Sequence, residues 1–80
     1  MATSLHDLDY RAFVIRLVTL RKHAGQTQLQ LAEQISKPQS YVSKYERFER
    51  RLDPAEFRAI VIALGGDPVS VFAEASASIK

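Results

Sequence analysis

Gln39, Ser40, Ser43 and Lys44 lie within the eight-residue stretch QSYVSKYE. At about 100° per residue they fall on one side of a helix, with Tyr41, Val42 and Tyr45 on the other. A carboxamide, two hydroxyls and an ammonium sharing one face can donate and accept hydrogen bonds, but they contain no nucleophile beside a base. Nucleobase edges suit such a set. Glutamine can bridge adenine N6 and N7, lysine can reach guanine O6 or N7, and serine serves either base.

Around this face the positive charge is concentrated. Residues 37–51 hold Lys37, Lys44, Arg47, Arg50 and Arg51 against Glu46 and Glu49, a net of +3, whereas residues 52–80 net −2 and the whole chain +2. An anionic partner would dock on the basic segment, although a solvated charged loop has the same composition. Arg47 projects on the polar side, Lys37 precedes it, and Arg50 and Arg51 follow within reach of a flanking phosphate backbone. Thr27 and Gln28, at a helix start with free N–H groups, suit a phosphate oxygen. The Tyr41, Tyr45 and Phe48 stripe could stack on unpaired bases. Its position opposite the polar face favours core packing instead, with Tyr41 at the edge and able to touch the backbone.

The elements that position these residues are helices. Helix α1 is expected from about Asp7 to His23, stopped by Gly25. Thr27 and Gln30 form a capping box for α2. Pro38 suits the first turn of α3. Asp53 and Glu56 make a second capping box, with Pro54 at the first position of α4. Gly65 and Gly66 end that helix, and Asp67 with Pro68 opens α5. The tail AEASASIK is small and polar and is expected to fray. The expectation is an all-α domain of five helices over residues 1–76, with a helix-turn-helix core at 27–48 and a frayed tail at 77–80.

Core stripes are expected at Phe57, Ile60, Val61 and Leu64 of α4, and at Phe13, Leu17, Leu20 and Ala24 of α1. Leu8, Ile15 and Val18 form a second apolar face. Ile62 and Val71 are also surplus, and with Phe72 they are the candidate dimer interface. A fifth helix covering them within one chain is the alternative. An 80-residue chain buries only about 60–65% of its unfolded surface, so a second copy would add useful apolar burial.

Several classes are disfavoured. Cysteine is absent, which removes disulfides and thiolate zinc sites. His6 and His23 lack metal-ligand spacing, and there is no glycine-rich phosphate loop. No catalytic residue, metal or cofactor is expected. No run approaches the ~18 apolar residues of a membrane span, and MATSLHD does not read as a secretory signal. A cytoplasmic protein is expected.

The run LRKHAGQTQLQLAEQISKPQSYVSKYE, followed by ERRLDPAEF and ALGGDP, resembles the Xre family of bacterial and phage repressors, with the lambda-repressor-like fold. The likeness extends over residues 14–72. It implies a five-helix domain that binds double-stranded operator DNA as a homodimer and regulates transcription. By matched position, Gln28 is similar to the family's phosphate-contacting glutamine. Gln39, Ser40 and Lys44 fall where family members read bases, and Ser43 where bases or phosphates are touched. The resemblance also implies a structural ion pair between Arg21 and Glu46. Three positions depart from the pattern: Ser36 and Phe48 stand where glycine is usual, and Gln26 where an apolar residue is common. The rival within the same fold is a protein-binding adaptor or antitoxin, with a cognate toxin or other regulatory protein as partner. The retained polar face on α3 favours DNA.

Overall fold

A computed structural model describes residues 3–79, with side chains from Leu8 onward. Met1, Ala2, Lys80 and the side chains of His6 and Asp7 lie outside the described residues, so the expectations placed on those side chains do too. Five helices follow in order: α1 Thr3–His23, α2 Gln28–Gln34, α3 Gln39–Glu46, α4 Pro54–Ala63 and α5 Pro68–Ala77. Among the described residues there is no strand.

Both capping boxes are formed. The Thr27 hydroxyl accepts from the Gln30 N–H at 3.0 Å, and the Gln30 side chain accepts from the Thr27 N–H at 2.9 Å. Asp53 and Glu56 exchange the corresponding bonds at 2.7 and 2.9 Å. Asp67 caps α5 through the Ser70 hydroxyl and N–H. Pro38 is the residue before α3 rather than in its first turn, and no side chain caps that helix.

Helices α1 to α4 all end alike. The residue after the C-cap takes a left-handed backbone, and two N–H groups bond back to the carbonyls left over by the last turn. Gly25 and Gly65 do this without steric cost. Ser36 (φ 58°) and Phe48 (φ 64°) adopt the same conformation with a side chain present. Lys37 N–H reaches Ala32 O, and Glu49 N–H reaches Lys44 O, both at 2.9 Å. The two departures from glycine thus keep glycine's geometry, and Ser36 makes the turn between α2 and α3.

The core gathers Val14, Leu17, Leu31, Ala32, Tyr41, Val42, Tyr45, Ile60, Val61, Leu64 and Val71. Helix α1 packs against α3, α4 and α5, so its buried arc is wider than one stripe. Val14 joins Leu17, and Val18, expected on a second face, packs on the same core. Ala24, expected in the core, lies past the helix end and is exposed. Val71, a candidate for the dimer interface, is instead turned inward and only 5% exposed. Ala73–Ala77, expected in a fraying tail, complete α5, and Ala75 is buried.

Phe13, Phe57 and Phe72 form a triangle of rings with centroids 4.9–6.4 Å apart. They line an apolar groove of about 420 Å³ between α1, α4 and α5, which also borders Tyr10, Leu52 and Val69. Leu8, Ile15, Ile62, Val69 and Phe72 stay exposed. No described helix is by itself long and apolar enough to cross a membrane.

Candidate nucleic-acid interface

Helix α3 is held by one face and free on the other. Val42 and Tyr45 are fully buried and Tyr41 nearly so, with the two tyrosine rings edge to face at 5.9 Å. Gln39, Ser40 and Lys44 are exposed on the opposite side, with Ser43 half-buried beside them. None of these four makes a side-chain hydrogen bond to another described residue. Their donors and acceptors remain available to a ligand, so the proposed base-reading set is brought together and left uncommitted.

Beneath this face a polar network ties three helices. Arg21 Nε donates to Glu46 Oε2 at 2.7 Å and Nη2 to Glu46 Oε1 at 3.1 Å. The pair is shielded, with side-chain exposures of 11% and 7%. Arg21 Nη1 donates to the Gln26 carbonyl at 2.8 Å, which fastens the α1–α2 connection where an apolar residue was missing. Gln28 Nε2 donates to Glu46 Oε1 at 2.9 Å. Gln28 was expected to face a phosphate; one of its two amide hydrogens is instead spent inside the fold. The bond to Glu46 is the main reason the Arg21 guanidinium holds its proton still more strongly than usual, against the opposing effect of burial.

The other expected backbone-contacting residues divide. Thr27 is exposed and its oxygen serves the capping box. Lys37 is exposed, with Nζ 5.3 Å from the Tyr41 ring centre. Arg47 is exposed and paired with Glu49 at 3.1 Å, a solvent-facing bridge of small energetic weight. The Arg51 guanidinium lies 4.7 Å over the Tyr10 ring. Arg50 is held by the Glu56 carboxylate and stacked over Tyr41 at 4.5 Å.

Tyr41 was expected at the edge of the face, able to touch the backbone. It is 8% exposed, and Arg50 and Lys37 lie over its ring, so the ring serves as a shelf for these cations. Burial, and secondarily the neighbouring Glu56 carboxylate, push its hydroxyl up to about 12. Burial likewise raises Tyr45, whose hydroxyl has no hydrogen-bond partner among the described residues. Glu56 is held below the usual carboxylate range, first by Arg50 and then by the Asp53 N–H.

Two residues of this site escaped the sequence reading. Glu56 was recognised only as a helix cap, although a basic residue six positions earlier was a signal for an ion pair. The Tyr10 hydroxyl accepts from the Leu52 N–H at 2.9 Å and donates to the Arg50 carbonyl at 3.4 Å, pinning the loop after α3. No local pattern announces a contact across forty residues. Among the described residues no group of histidines, cysteines and carboxylates could hold a metal ion.

The helix-turn-helix family HTH_3 matches residues 17–70. Among solved structures, an XRE-family like protein from Pseudomonas syringae pv. tomato str. DC3000 is similar over 99% of this chain and 96% of that one. The TM-score is 0.90 at 37% identity. The clp gene regulator ClgR from Corynebacterium glutamicum superposes with a TM-score of 0.79 at 27% identity, over 89% of this chain and 76% of that one. A second ClgR structure gives 0.78 at 26%, covering 90% and 92%. No curated protein matches the sequence.

Proposed function

The chain belongs to the XRE-family helix-turn-helix proteins, and from that premise we propose that it is a DNA-binding transcription regulator. It acts as a repressor in the cytoplasm, binding double-stranded operator DNA as a homodimer and performing no catalysis. The observation that carries this reading is the uncommitted polar face of α3: Gln39, Ser40 and Lys44 are exposed beside Ser43, while the same helix is buried on its other side. A single helix with such a face fits the major groove, where its first turns meet base edges.

Gln39, Ser40, Ser43 and Lys44 read bases. Thr27, the remaining amide hydrogen of Gln28, Lys37, Arg47, Arg50 and Arg51 contact phosphates, which fixes the register of the helix without adding sequence information. The contact unit is the segment 27–48 with the arginines that follow it, in a single domain over residues 1–76. Dimerisation uses Ile62 and Phe72, which are 47% and 54% exposed, together with the apolar groove beside Phe72. A two-fold pair would place its recognition helices about 34 Å apart, one turn of duplex.

The same groove favours a second reading, in which the fold serves as an adaptor or antitoxin for a toxin or another regulatory protein. Selection of bound fragments from random duplexes separates the two. Wild type should enrich a palindromic motif that the Gln39→Ala/Lys44→Ala variant loses or blurs. Absence of enrichment even at low salt would refute the DNA reading and leave the protein-binding one.

A further inference from the structure

Arg50 lies in the loop between α3 and α4, and its guanidinium is fixed on several sides. Nη1 donates to the Arg51 carbonyl at 2.9 Å and to Glu56 Oε1 at 3.3 Å, while Nη2 donates to Glu56 Oε2 at 3.0 Å. Its plane rests on the buried Tyr41 ring, 4.5 Å from the ring centre. Glu56 is itself immobilised, because Oε1 also accepts the Asp53 N–H at 2.9 Å in the α4 capping box. An arginine offers five N–H donors. The two left without a partner among the described residues are Nε–H and one Nη2–H, which lie along a single edge of the guanidinium. That edge matches two oxygens of a phosphate.

We propose that Glu56 is a positioning residue, which holds Arg50 on the Tyr41 shelf with its Nε–Nη2 edge open to a phosphate of the DNA backbone beside the recognition helix. The proposal rests on the DNA-binding reading above. A free arginine would lose rotamer freedom when it met the phosphate; here that ordering has already occurred within the fold. The Tyr10 hydroxyl adds to this by holding the Arg50 carbonyl and the Leu52 N–H on either side of Arg51.

Sign distinguishes positioning from simple charge. Glu56→Gln raises the net charge by one, so electrostatics alone predicts tighter binding to any duplex. Positioning predicts weaker binding, because an amide presents a donor to Arg50 in place of one carboxylate oxygen. Glutamine also serves at this place in a capping box, so the variant keeps α4 capped.

The experiment measures fluorescence anisotropy of a labelled mixed-sequence duplex of about 24 base pairs, long enough for two half-sites, across a salt series. The proteins are wild type, Glu56→Gln, Arg50→Ala and the double variant, each checked for folding by thermal melting. Arg50→Ala should weaken binding and flatten the salt slope by about one. Glu56→Gln should weaken binding roughly three- to tenfold when Arg50 is present, and should fail to weaken it when Arg50 is alanine. Tighter binding by Glu56→Gln with Arg50 present would overturn the positioning role while leaving Arg50 as a contact. An unchanged affinity and slope in Arg50→Ala would overturn it while the DNA reading stands. If wild type does not bind the duplex at low salt, both fall together.

Discussion

Glu46→Ala is expected to be the costliest single change to a charged residue of this fold. Its carboxylate accepts two bonds from Arg21 and one from Gln28, at 2.7, 3.1 and 2.9 Å. Truncation leaves the guanidinium shielded from water without a counter-charge, and strands the Gln28 amide as well. Exposed pairs contribute about 0–1 kcal/mol, whereas removing one partner of a buried pair costs about 3–5 kcal/mol. With side-chain exposures of 11% and 7% this pair lies near the buried limit, so we expect a loss of about 3 kcal/mol. At roughly 4–8 °C per kcal/mol for a domain of this size, the midpoint should fall by about 12–24 °C. Thermal and urea unfolding followed by circular dichroism measure it, at matched protein concentrations because association would shift both midpoints. A companion variant, Arg21→Met with Glu46→Leu, removes both charges and fills the space. It should recover much of the loss, since the stranded cation rather than the missing attraction dominates. A loss below about 1 kcal/mol for Glu46→Ala would refute the argument, as would a double variant no more stable than the single one.

Five further outcomes are expected. Ser36→Gly should stabilise by about 0.5–1 kcal/mol in urea unfolding, because the relief of a left-handed serine exceeds glycine's added freedom in the unfolded chain; Phe48→Gly should destabilise, since Phe48 also packs on the core and under Arg11. Tyr41 and Tyr45 have raised pKa values, so their neutral forms favour the fold: that stability is whole below the ordinary tyrosine pKa of about 10 and is lost as pH climbs through the folded values. Tyrosinate absorbance from these two should therefore appear together with loss of helix, and a spectroscopic titration complete before unfolding would contradict this. At the acid end, Glu56 and Asp67 are depressed, so their contribution is present above the ordinary carboxylate range and disappears as pH falls through the folded values, with a shallower acid slope in Glu56→Gln. Lys44→Ala should relax base preference at one operator position by about 1–3 kcal/mol, read by competition between selected and substituted duplexes; an unchanged preference would remove Lys44 from the reading set.

Helix ends were legible wherever one residue type does the work alone. Thr27, Asp53 and Asp67 cap through their own side chains, and Gly25 and Gly65 supply left-handed turns. Ser36 and Phe48 could be flagged only as departures, because nothing local says whether a non-glycine will accept that conformation. The outward face of α3 was legible from helical spacing, since its residues need no distant partner to be placed. Residues whose surroundings depend on another element were legible only in part. Gln28 turns toward Glu46 on α3, Tyr41 passes under Arg50, and Val71 is covered once α5 folds back on α1 and α4. Periodicity identifies a helix's apolar side but not the width of the arc its neighbours cover, which is why Val14 and Val18 join the core, and Ala24 leaves it because α1 ends one residue earlier.

The most direct test of the central claim is to titrate a selected duplex into isotopically labelled protein and follow backbone amide and side-chain NMR signals. The largest shifts are expected at Gln28, at Gln39, Ser40, Ser43 and Lys44 on α3, and at the Arg50 guanidinium, with the groove around Phe13, Phe57 and Phe72 little changed. Shifts centred on that groove, with the α3 face unmoved, would contradict the claim.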